Sequence, residues 1–210
     1  MKSSHISSLK SYILLLLFVA ITGIVSAQTG YKVGDIAVDF KLKNVDGKLV
    51  SMADYTDAKG FFVVFTCNHC PYAKAYESRI MDLNTKYASK GYPVLAISPN
   101  DPIAVPEDNF ENMTKRAKEK KYAFPYMLDD TQNITRAYGA KATPHVYLLK
   151  KSPNGLVVEY IGAIDNDTEN INANKIKYAE DAVNALLSGK TPTVTQTKAI
   201  GCSIKWKNAE

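Results

Sequence analysis

The run Phe61-Phe62-Val63-Val64-Phe65 is the feature that most constrains this chain. Five consecutive β-prone apolar residues, with no polar residue between them, suit a strand buried on both faces of a sheet. One residue later comes Cys67-Asn68-His69-Cys70-Pro71, and from Pro71 the apolar period becomes helical. Ala73, Tyr76, Ile80, Leu83 and Tyr87 fall on one face. A strand that runs into a Cys-x-x-Cys pair at a helix start is a redox arrangement. The helix N-terminus offers unpaired N–H groups and a positive dipole end, and both favour thiolate. In this reading Cys67 is the exposed nucleophile with an acidic thiol, and Cys70, one turn in, is the more buried resolving partner. His69 lies between them and can stabilise the Cys67 thiolate. The competing reading, half of a structural zinc site, needs further ligands, and only His145 and Cys202 remain to supply them.

The rest of the sequence places this strand–helix unit in one α/β domain. Ile36 to Leu42 and Lys48 to Met52, joined at Asp46-Gly47, are predicted to form an N-terminal β-hairpin. Pro93 to Ser98 is a second buried strand, after a helix closed by Gly91. Pro106 opens a helix with Glu107 and Asp108 in its first turn and Phe110, Met113 and Ala117 on its inner face. An extended segment follows at Phe124 to Leu128, then a short helix from Ile134 to Tyr138. Two strands, Val146 to Leu149 and Leu156 to Ile161, flank the turn Pro153-Asn154-Gly155. Ile176, Ala179, Val183 and Leu186 mark a last helix, and residues 190–210 are predicted to be a polar tail. Alternation of strands with helices, closed by a hairpin, predicts a central mixed sheet flanked by helices.

Of the 210 residues, the first 27 are expected to be a signal peptide: Lys2 and Lys10, an apolar stretch from Ile13 to Val25, then Val25-Ser26-Ala27. The apolar stretch is shorter than the roughly 20 residues that span a bilayer, so cleavage after Ala27 and an exported, periplasmic protein free of the membrane are expected. Residues 28–210 then form a single domain. The formal net charge of +5 loses the contributions of Lys2 and Lys10 on cleavage, and the remainder is too small to argue for nucleic acid. Lys115, Arg116, Lys118, Lys120 and Lys121 read as a solvated helix face, as do Arg79 and Arg136. Asp165-Asn166-Asp167 lacks the glycine and terminal glutamate of a calcium loop and reads as a polar turn. Three cysteines remain in the exported chain, an odd number. Cys202 reads as a resolving thiol, a third ligand or a packing residue beside Ile204 and Trp206, with packing preferred. Thr143-Pro144 precedes a strand, and position alone leaves cis and trans open.

The stretch Phe65 to Pro71 and the later Ala142-Thr143-Pro144-His145 resemble the thioredoxin superfamily. Gly34-Asp35, Phe40, Asp46-Gly47, Ser98 to Asp101, Phe124-Pro125-Tyr126 and Gly201 to Trp206 are similar to the peroxiredoxin-like members of its redoxin branch, the alkyl hydroperoxide reductases and thiol-specific antioxidants. The resemblance implies a thioredoxin-like fold, Cys67 as attacking thiol and Cys70 as its partner. It makes Pro144 a cis-proline facing them, with the Thr143 backbone pairing with substrate. It further implies protein thiols or disulfides as substrates, a redox partner protein and no cofactor or bound metal; the oligomeric state stays open. Two rival functions follow. One is a hydroperoxide reductase; Val64 stands where peroxiredoxins carry threonine three residues before the peroxidatic cysteine, so slow peroxide turnover is expected. The other is a thioredoxin-fold copper-binding module using the cysteine pair and His145.

Overall fold

The computed structural model describes residues 30–207; the expected signal peptide lies outside them. The strands are β1 (Ile36–Ala37), β2 (Lys41–Asn44), β3 (Leu49–Ser51), β4 (Gly60–Phe65), β5 (Val94–Ser98), β6 (Tyr126–Leu128), β7 (Ala142–Thr143), β8 (His145–Ser152), β9 (Gly155–Gly162) and β10 (Cys202–Ser203). The helices are α1 (Pro71–Tyr87), α2 (Phe110–Lys120), α3 (Asn133–Tyr138) and α4 (Tyr178–Leu187). Eight strands form one mixed sheet in the order β1-β9-β8-β4-β5-β6-β2-β3, and β7 and β10 form a separate antiparallel pair.

β4 lies near the middle of the sheet, parallel to β5 and antiparallel to β8. All six of its residues are buried. Its side chains alternate between two apolar cores, as the strand period requires. Phe62 and Val64 pack with Tyr76, Ile80, Leu83 and Tyr87 of α1, Met113 of α2 and Val183 of α4. Phe61, Val63 and Phe65 pack on the opposite face with Tyr138 of α3, Tyr147 of β8 and Ile204. The α/β, thioredoxin-like architecture with helices on both faces is therefore the predicted one.

Four local expectations need correction. The first predicted strand is split: β1 pairs with β9 at one edge of the sheet, whereas β2 pairs with β3 and β6 at the other. Only the second piece belongs to the hairpin. A continuous alternation between Ile36 and Leu42 concealed the change of edge. The segment from Pro106 is a short 3-10 turn (Pro106–Asp108), and α2 begins separately at Phe110. The Asn109 side chain caps α2 by accepting from the Asn112 N–H at 2.8 Å, satisfying one donor of the new helix start. Ile176 lies before α4 and is exposed.

The C-terminal segment is not a free polar tail. Thr195 and Thr197 exchange backbone hydrogen bonds with Ile161, β10 pairs with β7, and Ile204 is 5% exposed. Trp206 lies under the Arg136 guanidinium, 4.4 Å from the ring centre. Composition concealed this because the anchoring is mostly backbone pairing, which any polar residue can supply.

Candidate functional site

Cys67 and Cys70 sit in the turn between β4 and α1, where the central strand delivers them to the end of the sheet. Cys70 is the N-cap residue of α1 and Pro71 its first residue, a position where a missing N–H costs nothing. The Thr143-Pro144 bond is cis. Thr143 is fully buried and touches both sulfurs. Its Oγ1 lies 3.2 Å from Cys67 Sγ, and its carbonyl oxygen 3.3 Å from Cys70 Sγ. The structure thus brings together Cys67, Cys70 and Thr143.

Cys70 is disulfide-bonded to Cys202, across 132 residues of sequence, and Cys67 is the free thiol. The Cys70–Cys202 bond corrects the preference for Cys202 as a packing residue. β10 pairs with β7 in a register that sets Cys202 opposite Thr143. The Thr143 main chain, which the resemblance assigns to substrate, is here paired with the chain's own β10. Gly201 permits this approach: a Cβ there would collide with the Thr143 carbonyl.

Cys67 also departs from expectation. It is 4% exposed, not the accessible thiol of the pair. Burial pushes its pKa up, and the nearby Asp108 carboxylate adds to this, reaching about 11; the Thr143 hydroxyl and the Cys70 and His69 backbone N–H groups pull the other way. The helix N-terminus argument neglected desolvation, which disfavours any buried anion. With Cys70 held by Cys202, Cys67 is a protonated thiol at neutral pH.

Asp108 is a residue whose contact with the motif sequence reasoning did not find. Read as a first-turn acid, it is fully buried and faces the Cys-x-x-Cys turn. Its Oδ1 accepts from the backbone N–H of Asn68 at 2.7 Å and of His69 at 3.0 Å. Its Oδ2 lies 2.6 Å from His69 Nδ1 and accepts from Asn100 Nδ2 at 2.7 Å. Hydrogen bonds to an ionised carboxylate are the strong kind, so Asp108 fixes both the backbone of the motif and the His69 ring. Asn68 adds a bond from its Nδ2 to the Glu107 carbonyl at 2.9 Å and accepts from the Tyr126 hydroxyl at 3.1 Å. Asn100 Oδ1 in turn accepts from the Lys205 N–H at 2.9 Å. A polar chain therefore runs from the motif through Asp108 and Asn100 to the C-terminal segment. Nothing in one sequence marks an aspartate 40 residues from the motif as its partner; Asp108 is visible only once the fold closes.

Among the described residues, Cys67, His69 and Asp108 are the one group of three metal-ligand types whose ligand atoms lie within 4.8 Å of one another. The Asp108 carboxylate is already occupied by three nitrogen donors besides its close His69 contact, which accounts for the cluster without an ion. His145, an expected accessory residue, is not part of it. It is buried beside Tyr147, whose ring centre is 4.8 Å away, and burial, helped by Lys141, depresses its pKa to about 4. The copper reading loses the ligand it depended on.

Of the three arginines expected on solvated faces, Arg136 is exposed, but Arg79 is 8% exposed and bonds Asp165 at 2.8 and 2.9 Å. The Asp165-to-Asp167 segment is a turn built around that guanidinium. Arg116 pairs with Glu77, and the side chains of Lys74, Lys115 and Arg116 border a groove of about 310 Å³ that opens beside His69.

Among the described residues no helix is long and apolar enough to cross a membrane. The chain is 32% identical to the thiol-disulfide oxidoreductase ResA of Oceanobacillus iheyensis over 75% of its own length and 82% of the relative's. It is 28% identical to ResA of Geobacillus thermodenitrificans, covering 77% and 90%. A crystal structure of a conserved protein from Geobacillus kaustophilus superposes with a TM-score of 0.78 at 36% identity, covering 86% of this chain and 95% of that one. Residues 33–160, which carry the Cys-x-x-Cys turn and the cis-proline, match the AhpC/TSA family, and the chain belongs to that family.

Proposed function

We propose that this protein is an exported thiol–disulfide oxidoreductase whose working pair is Cys67 and Cys70. The observation that carries the reading is the convergence of both sulfurs on Thr143 beside the cis-proline. The ResA relatives, named as thiol–disulfide oxidoreductases, support the reaction class. The basic and apolar pattern of residues 1–27 supports export to the periplasm.

In the reduced enzyme the Cys67 thiolate attacks a disulfide of a protein substrate and forms a mixed disulfide, releasing one substrate thiol. The Thr143 hydroxyl and the His69 and Cys70 N–H groups stabilise that thiolate. Cys70, whose sulfur lies 3.3 Å from the Thr143 carbonyl oxygen, then attacks Cys67 Sγ. The second substrate thiol leaves, and a Cys67–Cys70 disulfide remains. Two electrons and two protons pass to the substrate, and a redox partner protein returns them; run backwards, the same steps oxidise a substrate dithiol. The groove beside His69 gives a substrate polypeptide a place to lie against the motif.

Cys67→Ser is expected to abolish disulfide exchange, and Cys70→Ser to accumulate a mixed disulfide on Cys67, read by mass spectrometry with a disulfide-bonded substrate protein. Trapping on another cysteine, or exchange that survives Cys67→Ser, would refute the assignment. The reduced protein is expected to react with hydrogen peroxide more slowly than with a disulfide peptide in stopped flow. Val64 offers no hydroxyl to hold the peroxide, and Arg136 is engaged with Trp206.

A further inference from the structure

The Cys70–Cys202 bond and the free Cys67 set two sulfurs, Cys67 and Cys202, beside one common partner, Cys70. Cys67 and Cys70 pack together, with Cys202 against them. Cys67 is 4% exposed and Cys70 fully buried, whereas Cys202 is partly exposed. Cys202 also lies beyond residues 33–160, the segment that matches the family. β10 is held in place independently of the sulfur, by pairing to β7, by burial of Ile204 and by the Lys205 contacts with Asn100 and Asp101. Cys202 is therefore a positioned group, not a stray thiol at the end of a loose segment.

We propose that Cys202 is a third redox-active sulfur: the disulfide formed between Cys67 and Cys70 is passed to Cys70–Cys202, where an external dithiol donor reduces it. The inference rests on the function proposed above. In the transfer, the Cys202 thiolate attacks Cys70 Sγ of the Cys67–Cys70 disulfide. The Cys70–Cys202 bond forms, the Cys67–Cys70 bond breaks, and Cys67 leaves and takes up a proton. Oxidation state does not change. The donor's thiolate then attacks Cys202 Sγ, and Cys70 leaves and is protonated. The donor's second thiol attacks its own bound sulfur, releasing Cys202 as a thiol and the donor as a disulfide. The donor supplies two electrons and two protons. Exchange of this kind depends on access to the attacked sulfur, and the transfer moves the bond from two buried sulfurs to one that solvent reaches. It also leaves Cys67 in the environment that favours its protonated form.

Trypsin makes the linkages separable. Cys67 and Cys70 share the peptide from Gly60 to Lys74, and Cys202 lies in the peptide from Ala199 to Lys205. The wild-type protein is equilibrated in oxidised and reduced dithiothreitol, quenched with N-ethylmaleimide and digested. Two oxidised forms are expected: an internal disulfide with Cys202 alkylated, and cross-linked peptides with Cys67 alkylated. After a single oxidation by a substrate disulfide, the first form should appear and then convert to the second. Gly201→Ala, which keeps all three sulfurs but forces β10 from Thr143, should lose the cross-linked form and retain the internal disulfide. Cys202→Ser should lose the fast phase of reduction by dithiothreitol. A single linkage at every redox poise, or a Cys202→Ser variant reduced at the wild-type rate, would overturn the relay. Neither result touches the Cys67–Cys70 reading, which falls if Cys67→Ser still exchanges with substrate or if Cys70→Ser traps substrate on another cysteine.

Discussion

Asp108 gives the sharpest test of the electrostatics at the motif. Its carboxylate and the Cys67 sulfur lie within 4.8 Å, and its charge is one of the causes that raise the thiol pKa to about 11, second to burial. A unit charge at that distance in an effective dielectric of about 20 interacts by about 3.5 kcal/mol, or ~2.5 pKa units. The N–H groups of Asn68, His69 and Asn100 spread that charge, so Asp108→Asn is expected to lower the Cys67 pKa by ~1–2 units. Burial keeps it at or above the ordinary value. The assay is alkylation by iodoacetamide against pH in a Cys70→Ser/Cys202→Ser background, where Cys67 is the sole thiol. At pH 8 the thiolate fraction rises with the fall in pKa. Because nucleophilicity falls along with pKa, the net gain in rate is roughly 3- to 10-fold. The new amide sets an NH2 group against Asn100 Nδ2, so a stability loss of about 1–3 kcal/mol accompanies it, checked by urea unfolding. An unchanged or raised midpoint in a folded variant would refute Asp108 as a charge acting on Cys67.

Three further outcomes follow from named contacts. Thr143→Val removes the hydroxyl 3.2 Å from Cys67 Sγ and should move the alkylation midpoint upward, opposite to Asp108→Asn. His145 is held near pKa 4 when folded, below its ordinary 6.5. The unfolded chain binds the extra proton, so stability present above pH 6.5 is lost as pH falls toward 4, by about 3 kcal/mol. Urea midpoints at pH 7, 5 and 4 should show this loss in the wild type and less of it in His145→Asn. Arg79→Ala leaves the buried Asp165 with only Lys175, 3.9 Å away, in place of its guanidinium and should cost about 3 kcal/mol in chemical unfolding, whereas Arg79→Met with Asp165→Leu should recover most of it.

The parts of the molecule legible in the sequence are those encoded by local pattern. The Phe61 to Phe65 run gave the central strand, and the period from Ala73 to Tyr87 gave the α1 face. Gly91 and Gly139 each follow a helical turn in the left-handed conformation, as helix ends require. The parts that were not legible depend on which segments meet. Asp108 and Asn100 reach the motif only through tertiary closure. Cys202 meets Cys70 only when β10 pairs with β7. Arg79 looked like a surface residue because its burial depends on the Asp165 turn folding over it. The Cys67 thiol was misjudged for a related reason: a sequence reveals the helix start beside it but not the walls that exclude water from it.

The separation of 132 residues between Cys70 and Cys202 also orders events in time. If the chain is exported N-terminus first, as proposed above, it presents Cys67 and Cys70 to an oxidising compartment before Cys202 arrives. The first sulfur–sulfur bond accessible to such a chain is the local one. In that order of events the long-range bond is reached by rearrangement once β10 docks, so maturation of the newly made protein would rehearse the bond transfer proposed above for turnover. Delayed arrival of the last segment would leave a molecule that is folded over most of its sheet yet locked in its early pairing. Pulse-labelled chains resolved by their linkages would reveal that intermediate.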